Sequence, residues 1–139
     1  MMSNLINKYI KYLNLEIDII IAMPSSADRE NERGGNHLLK LANNIRRIIN
    51  IDRPSKIRMF NGLKAKNYTN LASNSGNRFI LIKDKFYLNN KDIKYLKNKN
   101  ILLIDDLITS GATMQEAVKT LNKAGTNLVL PVSISRTSF

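Results

Sequence analysis

The chain has no cysteine, so neither a disulfide scaffold nor a Cys-ligated zinc site can be built from it. It has no apolar run near the ~20 residues that a bilayer-spanning helix needs, which argues against membrane insertion. Residues 1–15 mix polar and apolar side chains and lack the apolar centre of a secretory signal. The expected location is therefore the cytoplasm, where the missing cysteines fit a reducing environment. Aromatic residues make up 6% and are not interleaved with basic ones along the chain, so the usual signature for stacking single-stranded bases is missing. Acidic residues are also few. Eleven stand against 22 lysines and arginines, which leaves a net charge of +11. That surplus favours polyanions, either nucleic acid or phosphorylated metabolites. Solvated lysines on an Asn-rich soluble protein explain it equally simply.

A chain of 139 residues has room for one α/β unit and little else, so residues 1–139 are expected to form a single domain. Apolar residues at Leu5, Ile6, Tyr9, Ile10 and Leu13 predict a helix over 5–15. The β-branched run 17–23 predicts a first core strand. A wide apolar face from Leu38 to Ile49 predicts a second helix, with strands expected at 56–60 and 79–82. The polar stretch 62–78 reads as a long loop or flap, and unstructured loops of that length are often functional. A turn or hairpin at 83–90 and a helical turn at 92–97 follow. A last strand is expected at 127–134, where Pro131 argues for an edge or a bulge. Strands alternating with helices imply a three-layer α/β fold, a mostly parallel twisted sheet with helices on both faces.

The most informative run is Ile101-Leu102-Leu103-Ile104-Asp105-Asp106-Leu107-Ile108-Thr109-Ser110-Gly111-Ala112-Thr113. Four apolar residues read as a buried parallel strand, two carboxylates stand at its end, and a small-residue loop leads into an amphipathic helix over 114–124. Ligands of open α/β sheets bind just beyond the carboxyl ends of the strands. A loop entering a helix N-terminus presents N–H groups and the positive end of the helix dipole to a phosphate. Carboxylates repel a phosphate but accept hydrogen bonds from hydroxyls. A ribose 5-phosphate is the simplest ligand with both parts. A plainer alternative is a solvated Asp-Asp turn with Thr109 or Ser110 capping the helix.

This run resembles the phosphoribosyl pyrophosphate (PRPP) motif of the type I phosphoribosyltransferases. The resemblance implies that Asp105 and Asp106 hold the ribose 2- and 3-hydroxyls as the catalytic acid pair. It gives the 5-phosphate to Thr109, Ser110, Gly111, Ala112 and Thr113. It also implies a second anion cradle after the first core strand, where Pro24, Ser25 and Ser26 stand, with Arg29 and Arg33 nearby in sequence. The segment 62–78 matches the family's closing loop in position, and Lys64, Lys66 and Arg78 are its candidates to cover the pyrophosphate.

A narrower resemblance is to the competence ComF family. It rests on Ala22-Met23-Pro24-Ser25, on Glu32-Arg33-Gly34-Gly35-Asn36 leading into Leu38-Leu39-Lys40-Leu41-Ala42, and on Ser133-Ile134-Ser135-Arg136-Thr137. Departures from that family are the missing cysteine-rich zinc segment, Gly35 in place of an aromatic and His37 in place of Gln. His37, the only histidine, reads as a helix-start residue rather than a general base. The resemblance implies Mg²⁺-dependent transfer of a phosphoribosyl group to a nitrogen base or ammonia. Mg²⁺ would be held through substrate phosphates, with no dedicated protein metal site. It equally allows a non-catalytic PRPP-binding protein that serves DNA uptake with single-stranded DNA or DNA-uptake proteins as partners. A homodimer is left open.

Overall fold

A computed structural model describes residues 2–24, 37–66, 83–108 and 110–136. Helix α1 (Met2–Tyr12) leads to strand β1 (Ile19–Ala22), helix α2 (His37–Ile49) and strand β2 (Arg58–Met59). Two short strands, β3 (Lys64–Ala65) and β4 (Phe86–Tyr87), come next, then helix α3 (Asn90–Leu96). Strand β5 (Asn100–Ile108), helix α4 (Ala112–Lys123) and strand β6 (Leu128–Arg136) complete the order.

The main sheet runs β2-β1-β5-β6, and every pairing in it is parallel. The central strand β1 is buried at each of its four residues, as a strand covered on both faces must be. Alternation splits the core in two. Ile19, Ile21, Ile101 and Leu103 pack with Met114, Ala117 and Leu121 of α4. Ile20, Leu102 and Ile104 pack with Ile6 and Ile10 of α1 and with Ala42, Ile45 and Ile49 of α2. The helical residues recur at three- and four-residue steps, so each helix turns one stripe to the sheet. Each fully buried Ile or Leu contributes about 1.5–3 kcal/mol, and among the described residues twelve large side chains are buried to that degree. Helices thus cover both faces, as the periodicity predicts.

At the amino ends of the strands polar groups pair with one another. Asp18 Oδ2 accepts the Asn100 N–H at 2.8 Å, Asn100 Nδ2 donates to Glu16 O, and Asn127 Nδ2 donates to Asn100 Oδ1 at 2.7 Å. Arg53 reaches the carbonyl of Leu15 at 3.1 Å. Pro131 stands in β6 at the sheet's edge, where a residue without an N–H is tolerated.

The segment expected to be a loop over 62–78 begins instead with a strand. β3 pairs antiparallel with β4, setting Lys64 opposite Tyr87 and Ala65 opposite Phe86. The reason lies in the apolar residues on either side: Leu63 and Phe86 are buried in the α4-side core with Leu96, and Ala65 packs against it. The hairpin expected at 83–90 is realised in part by a turn at 83–84 and β4. The strand expected at 79–82 lies outside the described residues.

Candidate functional site

β5 does not end at Ile104. Its pairing with β6 continues through Asp105 opposite Ser133 to Ile108 opposite Arg136. The acid pair is therefore inside the strand rather than at the strand end expected from sequence, because the backbone ladder with β6 runs on past it. On the other side β1 stops sooner. Ala22 is level with Ile104, and the Met23 N–H donates to Ile104 O at 2.8 Å. The chain leaves the sheet at Pro24, so Asp105 and Asp106 stand past the end of the central strand, on the carboxyl edge. Both are half-buried. Asp105 Oδ1 accepts the Asp106 N–H at 2.8 Å, which holds that carboxylate against its own strand.

Leu102 and Ile104 belong to the core under α1 and α2, while Ile108 at the end of β5 packs against the core under α4.

The helix that follows starts at Ala112, two residues earlier than periodicity suggests, so Ala112 and Thr113 form its first turn rather than a loop. Its N-cap is Gly111, in the left-handed region at φ 78°, with no side-chain capping hydrogen bond. Ser110 is not the cap. Ser110 Oγ accepts the Ala112 N–H at 3.4 Å, and the Gly111 carbonyl starts the helical ladder by accepting from Gln115 N–H at 2.9 Å. An L-residue in that backbone conformation is strained, so a glycine fits this corner. Among the described residues the nearest atom to a side chain at that position would be Ile108 Cγ2, at 3.9 Å.

The structure thus brings together Pro24, Asp105, Asp106, Ser110, Gly111, Ala112 and Thr113 on one edge. Ser25, Ser26, Arg29, Arg33, Arg78 and Thr109 lie outside the described residues. Lys64 and Lys66 lie in and just after β3, exposed. His37 opens α2, also exposed, as expected of a helix-start residue. Sequence reasoning missed Ser133, which faces Asp105 across the ladder and donates from Oγ to Ser135 O at 2.7 Å. The clue was the pair of serines two apart in the last strand. A groove of about 600 Å³ lined by Met114, Val118, Lys119 and Pro131 includes neither acid. Among the described residues no helix is long and apolar enough to cross a membrane.

Strand order, the acid pair and the glycine-led helix define the class: this is an α/β domain with the type I phosphoribosyltransferase fold. The sequence matches the phosphoribosyl transferase domain over residues 33–133, and the chain belongs to that family. Glutamine PRPP amidotransferase from B. subtilis, solved with ADP and GMP, is similar over 94% of this chain and 25% of its own, with 19% identity and a TM-score of 0.51. The hypoxanthine phosphoribosyl transferase of Trypanosoma cruzi is similar over 97% of this chain and 60% of its own, with 11% identity and a TM-score of 0.52. The transcriptional regulator GfcR of Methanosphaera stadtmanae is 43% identical over 42 residues, 30% of this chain and 21% of that protein. The chain therefore spans about a quarter of the amidotransferase's length, and its match to GfcR about a fifth of that regulator.

Proposed function

We propose that this chain binds PRPP and transfers its phosphoribosyl group to a nitrogen base or ammonia, releasing pyrophosphate. The observation that carries the reading is the N-terminus of α4 at Gly111, whose N-cap brings no side chain, a few residues after an acid pair on the carboxyl edge of the sheet. The N–H groups of the first turn face the 5-phosphate, and Asp105 and Asp106 accept from the ribose hydroxyls. Pro24, Ser25 and Ser26, with Arg29 and Arg33, take the pyrophosphate. Lys64, Lys66 and Arg78 cover it. Cleavage at ribose C1 leaves positive charge on the sugar and negative charge on the leaving group. The chain's task is to hold the two ends apart, stabilise the leaving group and exclude water.

Mg²⁺ would be held through the substrate phosphates and water, with Asp105 or Asp106 helping through the ribose hydroxyls or water. It would neutralise the pyrophosphate. Among the described residues no group of three or more His, Cys, Asp or Glu is placed to hold a metal ion. The same reading takes the chain as a single cytoplasmic domain.

A second reading is a non-catalytic PRPP-binding protein, ComF-like, acting in DNA uptake. The match to GfcR favours keeping it, because that relative is named a transcriptional regulator rather than a transferase. Two measurements separate these. PRPP at millimolar concentration with Mg²⁺ should raise the melting temperature of the parent chain and not that of Asp105→Ala/Asp106→Ala. Pyrophosphate release with a panel of bases or ammonia should then follow if the chain is a transferase. A shift without release supports the second reading, and no shift in the parent overturns both.

A further inference from the structure

We propose that the groove between α4 and the edge strand β6 docks an extended, acidic segment of a partner protein, with a large apolar side chain of that segment in the groove. The site does not depend on the PRPP reading. β6 closes the sheet, and among the described residues β5 is the one strand paired with it. An edge strand presents backbone N–H and C=O groups to a further chain, and natural edges are commonly guarded by charged side chains or proline. From Leu128 to Ser135 this edge has no charged residue, and Pro131 is its one guard. The missing N–H of Pro131 interrupts backbone pairing at that level, so contact there rests on side chains.

The groove of about 600 Å³ exists because α4 covers β6 incompletely. Val129 and Pro131 share one face of β6 by alternation. Val129 packs against the core under α4, whereas Pro131 is exposed. On α4, Met114 is buried in that core and Val118 is half-buried at its border. Gln115, Lys119 and Lys123, at steps of four, form the exposed outer wall. The floor is therefore apolar, and among the described residues lining it the rim carries two lysines and no carboxylate. Lys119 already has Glu116 at 3.6 Å, so Lys123 takes the larger share of an incoming acid.

This chemistry selects the occupant. A strand laid along β6 turns every second side chain to the α4 face. A large apolar residue there enters between Val118 and Pro131, and an acid two positions away meets the lysine rim. A second copy docked through the same face would bring like lysines together on chains of net charge +11. A nucleic acid would find cations but no aromatic ring in the described lining to stack a base. The helical rise of about 1.5 Å per residue sets Lys119 and Lys123 about 10 and 16 Å along α4 from Ala112, away from the proposed phosphate site.

The test pans displayed random dodecapeptides against the whole chain and measures synthetic copies of the enriched ones by fluorescence anisotropy. They should share a large apolar residue with Asp or Glu two positions away, and their affinity should fall as salt rises. Lys119→Glu/Lys123→Glu should weaken binding about tenfold or more, and Lys91→Glu/Lys94→Glu, the same charge change on exposed residues of α3, by less than about threefold. Val118→Ala should weaken binding without changing its salt dependence, since it removes floor and no charge. None of these variants should alter the melting-temperature shift given by PRPP, so the groove and the PRPP site can fail independently. The inference is overturned if no peptide is enriched, if the enriched peptides lack acids or space them three or four positions away as a helix would, if the two double variants behave alike, or if oligothymidylate displaces the peptides. A dimer in sedimentation that Lys119→Glu/Lys123→Glu dissociates would give the groove to a second copy and overturn it as well.

Discussion

The two ends of the central sheet use similar residues to opposite purposes. At the amino ends Asp18, Asn100 and Asn127 satisfy one another and nearby backbone groups, and Arg53 ties in the connection before β1. At the carboxyl ends Asp105 and Asp106 stand past the last residue of β1, beside a helix whose N-cap brings no side chain of its own. A carboxylate that accepts a backbone N–H from a neighbouring strand is a stitch. The acid pair beside the glycine corner is the one proposed to meet a sugar. The difference predicts that mutations at one end act on ligand binding and at the other on stability.

The largest effect should come from Asp105→Ala/Asp106→Ala. Each charged hydrogen bond to a ligand is worth about 1.5–3 kcal/mol, so PRPP affinity measured by titration calorimetry should fall by about two orders of magnitude or more. The melting temperature without ligand should move far less. Equal losses in stability and in binding would erase the distinction between the two ends.

Asp18→Ala is the reverse case. It leaves the Asn100 N–H without its 2.8 Å acceptor at a half-buried position. The cost should be about 1–3 kcal/mol of stability, visible as a lower denaturation midpoint, with PRPP affinity within a factor of two of the parent.

Much of this contrast was legible in sequence, and its limits have physical causes. The run Ile101 to Ile104 could only be a covered strand, and Asp105-Asp106 before a small-residue loop marked the site. The extent of β5 was not legible, because its continuation depends on partners in β6, Ser133 and Ser135, which carry no strong strand signal. The start of α4 was missed for a related reason. Thr109 and Ser110 are good caps by residue type, yet Gly111 occupies the corner because it alone among them adopts φ 78° without strain. β3 was hidden inside a polar stretch, since two-residue strands are fixed by the tertiary burial of Leu63 and Phe86 rather than by local pattern.

Gly111→Ala tests the corner between the two behaviours. Among the described residues the Cβ meets nothing closer than 3.9 Å, so packing against them is not the obstacle. The left-handed backbone is, at about 1–2 kcal/mol for an L-residue. Stability should fall by about that amount, roughly 3–8 °C in melting temperature. Affinity for PRPP should fall as well if the strain is relieved by moving the first turn of α4 away from the phosphate. A loss of stability with unchanged affinity would mean that the corner shapes the fold and not the ligand site.

The smallest effect concerns the link between the ligand edge and the hairpin of β3 and β4. Glu116, on α4, accepts the Asp84 N–H at 2.8 Å, and Asp84 itself has φ 55° in the turn before β4. Glu116 also stands 3.6 Å from Lys119, an ion pair that should add little because Lys119 is half-exposed. Removing the acceptor with Glu116→Ala should cost about 1 kcal/mol. Glu116→Gln keeps an oxygen in place and should lose only part of that, since the amide accepts the same N–H without the charge. Hydrogen exchange at the Asp84 amide reads the bond directly: faster in the alanine variant and close to the parent in the glutamine variant. If both variants exchange at the parental rate, the hairpin is held by Leu63 and Phe86 alone, and it is tied to α4 only through the core.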